Sequence, residues 1–243
     1  MAGGREATRL GELAWPEVVE RFRHDPRLLF PVASLMQHGP HLPLATDTII
    51  TTAIAEGLGA RYDILVAPTL PFGSAADVDR SYAGAAILPP KTLHRVLNDL
   101  VGDWEAQGLR ELFLLTSNGF GPHYRALVSV IGGDLKIRAV DTNVVDLSPV
   151  LRTPVMPERA GEIETSLLLH LAPECVRTDR MQDDVPTREE LRERIQGTEP
   201  VPLPGSRGVL GRPTAATAEK GKRVYEYLVR YIGDRLFGGR AEA

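Results

Sequence analysis

Cysteine is almost absent from this sequence, since Cys175 is the single example in 243 residues. One cysteine forms no internal disulfide, and it supplies too few thiolates for a four-cysteine zinc site. Any metal that this chain binds must therefore be held by histidine, aspartate and glutamate.

Long apolar runs and clusters of basic residues are also missing. The longest apolar runs fall well short of the roughly 18 residues that a membrane span requires, and residues 1–9 carry charges with no apolar stretch behind them. Lysine and arginine together number 28 against 32 acidic residues, and no basic run stands out. We therefore expect a cytoplasmic protein that contacts neither membrane nor nucleic acid.

The composition that remains, 43% hydrophobic and 25% charged, is typical of a packed domain. Short β-branched runs at 28–33, 64–67, 112–116 and 137–144 alternate with helical patterns at 47–59, 90–107 and 123–131. Further helices are expected at about 157–171 and 216–237. This alternation predicts an α/β fold with a mainly parallel sheet covered by helices. We expect one domain over residues 1–243.

A charged segment rich in proline and glycine spans about 178–213. It holds few large apolar residues, which predicts a surface excursion. Within it, Thr187 followed by Glu190 is a capping-box pattern and predicts a short helix over 187–196.

The loop after the first predicted strand, residues 34–47, contains His38, His41 and Asp47. Its prolines and glycine make it stiff, and ligands gather at the carboxyl ends of strands in α/β sheets. Imidazole and carboxylate together are ligands for hard or borderline metals. Two structural interpretations stay open, because Asp47 also suits the positive end of a helix and a histidine beside proline and glycine is often a hydrogen-bonding group.

A glutamate-rich helix start at 157–166 offers a further carboxylate. At about 100° per residue, Glu164 falls within the apolar stripe that contains Ile163 and Leu167, whereas Glu162 points the opposite way. A buried carboxylate is costly unless it is paired or binds a metal. Glu164 is therefore either a metal ligand or the partner of a buried arginine.

A tight turn follows the third predicted strand, where Asn118-Gly119 and Gly121-Pro122 precede a helix. Backbone N–H groups in such a turn stabilise anions. His123 either faces the same pocket or lies exposed in the first helical turn.

The run Gln37-His38-Gly39-Pro40-His41-Leu42-Pro43-Leu44, followed by Thr46-Asp47, resembles the signature of the creatininase (creatinine amidohydrolase) family. Three supporting motifs follow in the expected order, at 71–74, 118–121 and 160–166. The resemblance covers roughly residues 28–173. It implies a three-layer α/β sandwich, a homo-oligomer that is often a hexamer, and metal-dependent hydrolysis of amide-like C–N bonds in a small-molecule substrate.

The sequence departs from the family pattern at the metal site. The family's dinuclear centre uses a glutamate where this chain has Met36 and a histidine where it has Phe120. Carried over residue by residue, the resemblance leaves His38, Asp47 and Glu164 as ligands. Three ligands plus water form a catalytic zinc site. We expect one divalent ion, zinc before manganese or iron, with a metal-free pocket as the alternative.

Two other departures remove proton-transfer groups. Arg159 stands where the family commonly has a histidine, and Asp77-Val78 stands where it has a Glu-His pair. We therefore expect His41 or His123 as the acid or base, and Arg159 as the group that binds a substrate carboxylate or an oxyanion. The predicted substrate-binding residues are Met36, Gln37, Asn118, Gly119, Phe120 and Gly121.

The favoured function is hydrolysis of a cyclic or linear C–N bond in a small anionic substrate by a mononuclear metal site. Two alternatives stay open. One is a metal-free ring closure or condensation in a pocket where Met36 and Phe120 face each other as a dry wall. The other is a catalytically inactive binding or scaffold subunit.

Overall fold

The structure is a computed structural model that describes residues 6–152, 158–187, 189–190 and 207–238. Its centre is a four-stranded sheet in the order β2–β1–β3–β4, in which every neighbouring pair is parallel. The strands are β1 (Arg27–Pro31), β2 (Leu65–Val66), β3 (Glu111–Thr116) and β4 (Lys136–Asp141). The predicted parallel sheet is confirmed.

Helices cover both faces of this sheet. They are α1 (Trp15–His24), α2 (Thr46–Tyr62), α3 (Pro90–Ala106), α4 (Gly121–Val128), α5 (Glu162–Leu171) and α6 (Ala218–Phe237). Because side chains alternate along a strand, Leu29 and Phe113 pack with α2, α5 and α6, while Leu28 and Leu112 pack with α1, α3 and α4. The result is the three-layer α/β arrangement that the family resemblance implies. None of these helices combines the length and apolar character needed to cross a membrane.

Helix α1 was not predicted from the sequence. Phe22 is the one side chain that it buries fully, so its apolar stripe is too short to stand out from the surrounding charges. The other helices lie close to their predicted positions, except that α5 begins later.

Strand β4 ends earlier than predicted. The sequence pattern ran to residue 144, but the strand ends at Asp141, and Thr142–Val144 forms a 3₁₀ turn. The turn forms because the Asp141 side chain accepts a hydrogen bond from the backbone N–H of Asn143. Asp141 therefore lies at the carboxyl end of the sheet.

Helix α5 begins at Glu162 and not near residue 157. Arg159 lies in an extended bridge with Leu210, and Ala160 has a φ of 49°, which is incompatible with a continuing right-handed helix. Glu158, at the edge of the described residues, is consequently a loop residue.

The last part of the 178–213 segment is not a surface excursion, so that prediction is wrong there. Val209 and Leu210 are each 2% exposed, and Leu210 exchanges two backbone hydrogen bonds with Arg159, of 2.9 and 2.8 Å. A Cβ on Gly39 would come within 2.7 Å of Val209 Cγ2, and the φ of 66° at Gly39 also requires glycine. The segment packs against the loop that carries the family signature.

The predicted helix over 187–196 falls mostly outside the described residues. At its start, Thr187 and Glu190 exchange the two hydrogen bonds of a capping box, of 2.7 and 3.2 Å.

Three functional segments meet at one edge of the sheet. The signature loop follows β1, the turn containing Asn118 follows β3, and Asp141 ends β4. Since β1, β3 and β4 are adjacent and parallel, their carboxyl ends bring these segments together, as is typical of ligand sites in open α/β sheets.

Candidate metal centre

Three predicted ligands lie together at this edge. His38 Nε2 is 3.1 Å from Asp47 Oδ1 and 3.8 Å from Glu164 Oε1, and the three donor atoms all lie within 4.8 Å of one another. His38 comes from the signature loop, Asp47 from the first turn of α2 and Glu164 from the first turn of α5. The described residues contain no other cluster of this kind.

The orientation of His38 suits a metal ligand. Its Nδ1 lies 3.2 Å from the backbone carbonyl of Met36, which only accepts hydrogen bonds, so Nδ1 carries a proton. Nε2 therefore directs its lone pair at the two carboxylates whenever the ring is neutral. A metal-binding histidine is commonly fixed in this way.

Burial and neighbouring charge shift the pKa of all three groups. Burial alone lowers the pKa of His38, but Asp47 and Glu164 outweigh it and raise it. Burial and the nearby Asp47 raise the pKa of Glu164. Burial also favours protonated Asp47, yet His38 and the hydroxyl of Ser34 hold its pKa below the usual value. Asp47 is buried and the side chain of Glu164 is 14% exposed, so two largely shielded carboxylates share one imidazole, an arrangement that a cation completes.

The donor set fits a single small divalent ion. A tetrahedral zinc ion with nitrogen and oxygen ligands at about 2.1 Å separates neighbouring donors by roughly 3.4 Å. The distances from His38 Nε2 to its two neighbours, 3.1 and 3.8 Å, bracket that value. One imidazole and two carboxylates are also ligand types that zinc, manganese and iron accept.

Asn118 is linked to this centre by a chain of hydrogen bonds through Ser34. Its Nδ2 donates to Ser34 Oγ and to the carbonyl of Ser74, both at 2.9 Å, and its Oδ1 accepts from the N–H of Phe120 at 2.8 Å. Ser34 in turn donates to Asp47 Oδ2. The amide of Asn118 thus positions Asp47, a predicted ligand, through Ser34, and both N–H donors of Asn118 Nδ2 are engaged within the protein.

His123 and His41 lie outside the cavity that adjoins the metal centre. His123 is fully buried, its Nδ1 accepts from the N–H of Ser74 and its Nε2 lies 3.1 Å from Thr116 Oγ1. His41 is also fully buried, with Nε2 3.0 Å from Thr165 Oγ1. Burial lowers the pKa of each to about 4. The structure therefore does not bring the two predicted acid–base histidines to the described wall of the cavity.

A cavity of about 430 Å³ opens beside the metal centre. Asp47 and Glu164 line it, together with Met36 and Gly119. Phe120 is not among the described lining residues, and the wall of Met36 facing Phe120, which belongs to the metal-free alternative, stays a prediction. The backbone N–H of Phe120 donates to Asn118 Oδ1, and Phe120 is the N-cap residue of α4. Gly121 begins that helix.

Arg159 lines the same cavity and is held by a buried partner. Its Nη1 donates to Asp79 Oδ1 at 2.6 Å, and Asp79 is fully buried. Gln37 Nε2 lies 3.4 Å from the same oxygen, and Gln37 Oε1 accepts from the N–H of Gly39 at 2.9 Å. Gln37 and Asp79 therefore fix the position of Arg159, and Gln37 serves the loop and not the substrate.

Two acidic residues in the cavity wall were missed by sequence reasoning. Asp141 uses one oxygen to accept from the backbone and side-chain nitrogens of Asn143, and burial raises the pKa of Asp141 to about 6. Glu158 accepts from the backbone N–H groups of Glu162 and Ile163, and burial together with Glu164 raises its pKa to about 7. An earlier end to the last predicted strand would have identified Asp141.

Glu162 is a buried residue of α5 and is not part of the metal cluster. The helical-wheel argument placed it opposite the apolar stripe, but α6 covers that face as well. Glu162 is 4% exposed, and Lys220 Nζ donates to its Oε1 at 2.6 Å. It is a buried structural ion pair, separate from the metal cluster.

We expect one tightly bound divalent ion per chain. The family's second-site ligands are replaced by the thioether of Met36 and the ring of Phe120, neither of which holds zinc with a carboxylate's affinity. Elemental analysis of zinc-loaded, gel-filtered protein measures the ratio. Two ions per chain would contradict the expectation, whereas the double change Met36→Glu and Phe120→His should raise the count toward two.

Comparison with known proteins identifies close relatives of this chain. The creatininase (creatinine amidohydrolase) family model matches residues 11–236. The mycofactocin precursor peptide peptidase of Mycolicibacterium smegmatis is 33% identical over 220 residues, covering 87% of this chain and 84% of the relative. The creatinine amidohydrolase of Pseudomonas putida is 29% identical, covering 93% and 95%.

Solved creatininase structures share the fold. Creatininase in a manganese form, and a mutant creatininase in a Zn–Zn form, each superpose on this chain with a TM-score of 0.80 and 25% identity, covering 95% of this chain and 97% of the other. The family match and the shared fold point to the same family. This chain belongs to the creatininase family of amidohydrolases.

Proposed function

We propose that this protein hydrolyses a C–N bond in a small amide that carries a carboxylate or an equivalent anion, using one divalent metal ion held by His38, Asp47 and Glu164. The observation that carries the proposal is the placement of these three donors, within 4.8 Å of one another, at a cavity that Arg159 also lines. A metal centre and a fixed cation next to one cavity suit an anionic amide.

The metal and the protein contribute different parts of the chemistry. A divalent ion in a three-ligand site supplies Lewis acidity and nucleophilic water near neutral pH. Among the chain's own residues, Asp141 is the proton-transfer group that best fits the geometry, because it lines the cavity and only one of its two oxygens is engaged by Asn143. Both oxygens of Glu158 hold the N-terminus of α5, so we assign it a structural role.

Arg159 binds the anionic end of the substrate in this proposal. Among the described residues, Asp79 is the one side-chain partner of the guanidinium, at Nη1, and the proposal assigns the other N–H groups to a ligand. A planar fork with fixed orientation favours a carboxylate and does not transfer protons. Creatinine lacks a carboxylate, so we expect it to be a poor substrate. A short peptide has both an amide and a terminal carboxylate, which agrees with the peptidase relative.

The experiment is an amine-release assay with zinc-loaded protein on N-acetylated amino acids and short peptides, with creatinine for comparison. Arg159→Lys should raise KM by about five- to tenfold with a smaller change in kcat, since a point charge replaces a bidentate contact. Arg23→Lys is the matched control, because Arg23 is an exposed residue of α1 paired with Glu20. Equal KM values for Arg159→Ala and the parent would exclude Arg159 from substrate binding.

A further inference from the structure

Aliphatic side chains form a large part of the cavity wall. They come from α2, α5, α6 and the segment after β4, and we call them the apolar chamber: Ile50, Val145, Leu147, Ile163, Leu167 and Leu228. Five of the six are at most 6% exposed, and Ile163 is half-buried. The chamber is therefore screened from bulk solvent although it borders open space.

The apolar chamber differs from ordinary core packing. Side chains in a protein core interdigitate and leave few voids larger than a water molecule. Here six aliphatic side chains border a cavity of about 430 Å³, which is the size of a small-molecule site. Because the same cavity is also bordered by Asp47, Glu164 and Arg159, it matches a ligand with one charged group and one apolar group.

The chamber begins one helical turn from the metal ligands. Asp47 and Ile50 are three residues apart on α2, and Glu164 and Leu167 are three residues apart on α5. Residues at this spacing are neighbours on the same helix face, within about 5–6 Å. Each carboxylate that holds the metal therefore has an aliphatic residue beside it on its own helix.

We infer that the substrate carries an aliphatic or aromatic side chain next to the scissile amide, and that the apolar chamber binds this side chain. The inference rests on the proposed function for the position of the scissile bond at the metal centre. An amide positioned at the metal centre leaves its neighbouring substituent within one helical turn of Ile50 and Leu167. The substrate class is thus an amide of an apolar amino acid and not of glycine or a polar residue.

The test measures binding and not turnover. The probes are N-acetylglycine, N-acetylalanine, N-acetylvaline, N-acetylleucine and N-acetylphenylalanine, titrated by calorimetry into metal-free protein so that no probe is hydrolysed during the measurement. Each buried methylene strengthens binding by about fourfold, so Kd should fall at least tenfold from N-acetylglycine to N-acetylleucine. A Kd that does not change along the series would overturn the inference without any variant.

Variants locate the effect in the chamber. Ile163→Asn and Leu228→Ala should each weaken N-acetylleucine binding at least about fivefold while leaving N-acetylglycine within about twofold. Ile131→Asn is the matched control, because Ile131 is 77% exposed and does not line the cavity. If the control variant weakens N-acetylleucine as much as the chamber variants do, the side chain binds elsewhere.

The binding series separates this inference from the proposed function. If Kd falls steeply from N-acetylglycine to N-acetylleucine but zinc-loaded protein releases no amine, the chamber assignment stands and the proposed hydrolysis is contradicted. Amine release with a flat series would support the hydrolysis and contradict the chamber assignment.

Discussion

Replacing Glu164 with glutamine should weaken zinc binding by at least about 100-fold and abolish most of any zinc-dependent turnover. Loss of a residue that merely supports a ligand costs 10- to 100-fold in metal affinity, and here one of three direct ligands loses its charge. The metal-free variant should remain folded, because burial and Asp47 already raise the pKa of Glu164 and disfavour its charged form. Competition with a zinc chelator measures the affinity, and circular dichroism measures the fold.

Glu162→Gln is a closely matched control for this change. Glu162 lies two residues earlier on the same helix, and its side chain is 6% exposed against 14% for Glu164, but its partner is Lys220. Loss of that pair should lower the free energy of unfolding by about 1–2 kcal/mol, because Lys220 is partly exposed, and should leave zinc affinity unchanged. Equal losses of zinc affinity in both variants would show that the helix, and not a ligand, determines binding.

The parallel sheet and the metal cluster follow from local patterns that tertiary structure preserves. The apolar runs of β1 and β3 are buried on both faces, so that they stand out in the sequence whatever packs on them. The ligands His38 and Asp47 are nine residues apart, and the intervening loop and helix start are both evident from proline, glycine and capping residues. Glu164 was found because its helical position made it an unexplained buried charge.

Long-range packing accounts for what the sequence patterns missed. Nothing near Arg159 in the sequence indicates Asp79, which lies eighty positions away and comes to it only in the folded chain. Likewise, the buried position of Glu162 depends on α6, and the course of Val209 depends on the space beside Gly39. Whether a helix face or a loop is exposed depends on which other segments pack against it. The periodicity of one segment carries no information about those partners.

The two histidines illustrate the same limit. His41 and His123 lie next to motif residues in the sequence, yet both are fully buried and bonded to threonine hydroxyls. Their low pKa values, near 4, keep the rings neutral at physiological pH. Sequence proximity to the site therefore favoured them as acid–base groups, whereas cavity geometry favours Asp141.

Replacing Asp141 with asparagine should lower turnover by about 10²- to 10⁴-fold, which is the usual contribution of a positioned proton-transfer group, and should leave zinc stoichiometry unchanged. The same variant should be more stable than the parent above pH 6. The folded-state pKa of Asp141 is about 6, above the usual 3.8, because burial disfavours the carboxylate. The opposite signs of the two effects distinguish a functional carboxylate from a structural one.

The pH dependence of the unfolding free energy follows from proton binding at Asp141. Between about pH 4 and pH 6 the folded protein binds more protons at Asp141 than the unfolded chain does, so the unfolding free energy falls as the pH rises through this window. Above pH 6 the free-energy cost of the buried Asp141 carboxylate is constant. Asp141→Asn removes this cost and should raise the unfolding free energy of the metal-free protein by about 1–3 kcal/mol. Asparagine keeps an oxygen that accepts the bonds from Asn143.

Asp146→Asn is the control for the stability measurement. Asp146 is exposed, five residues further along the same segment, and hydrogen bonds from the backbone and side chain of Ser148 lower its pKa. A lowered pKa stabilises the folded state at neutral pH, so this variant should change stability in the opposite direction. Urea unfolding of both variants at pH 4, 5, 6 and 7 gives the comparison. If the unfolding free energy of Asp141→Asn changes with pH in parallel with that of the parent, burial does not raise the pKa of Asp141. If turnover is unchanged in Asp141→Asn, another group transfers the proton.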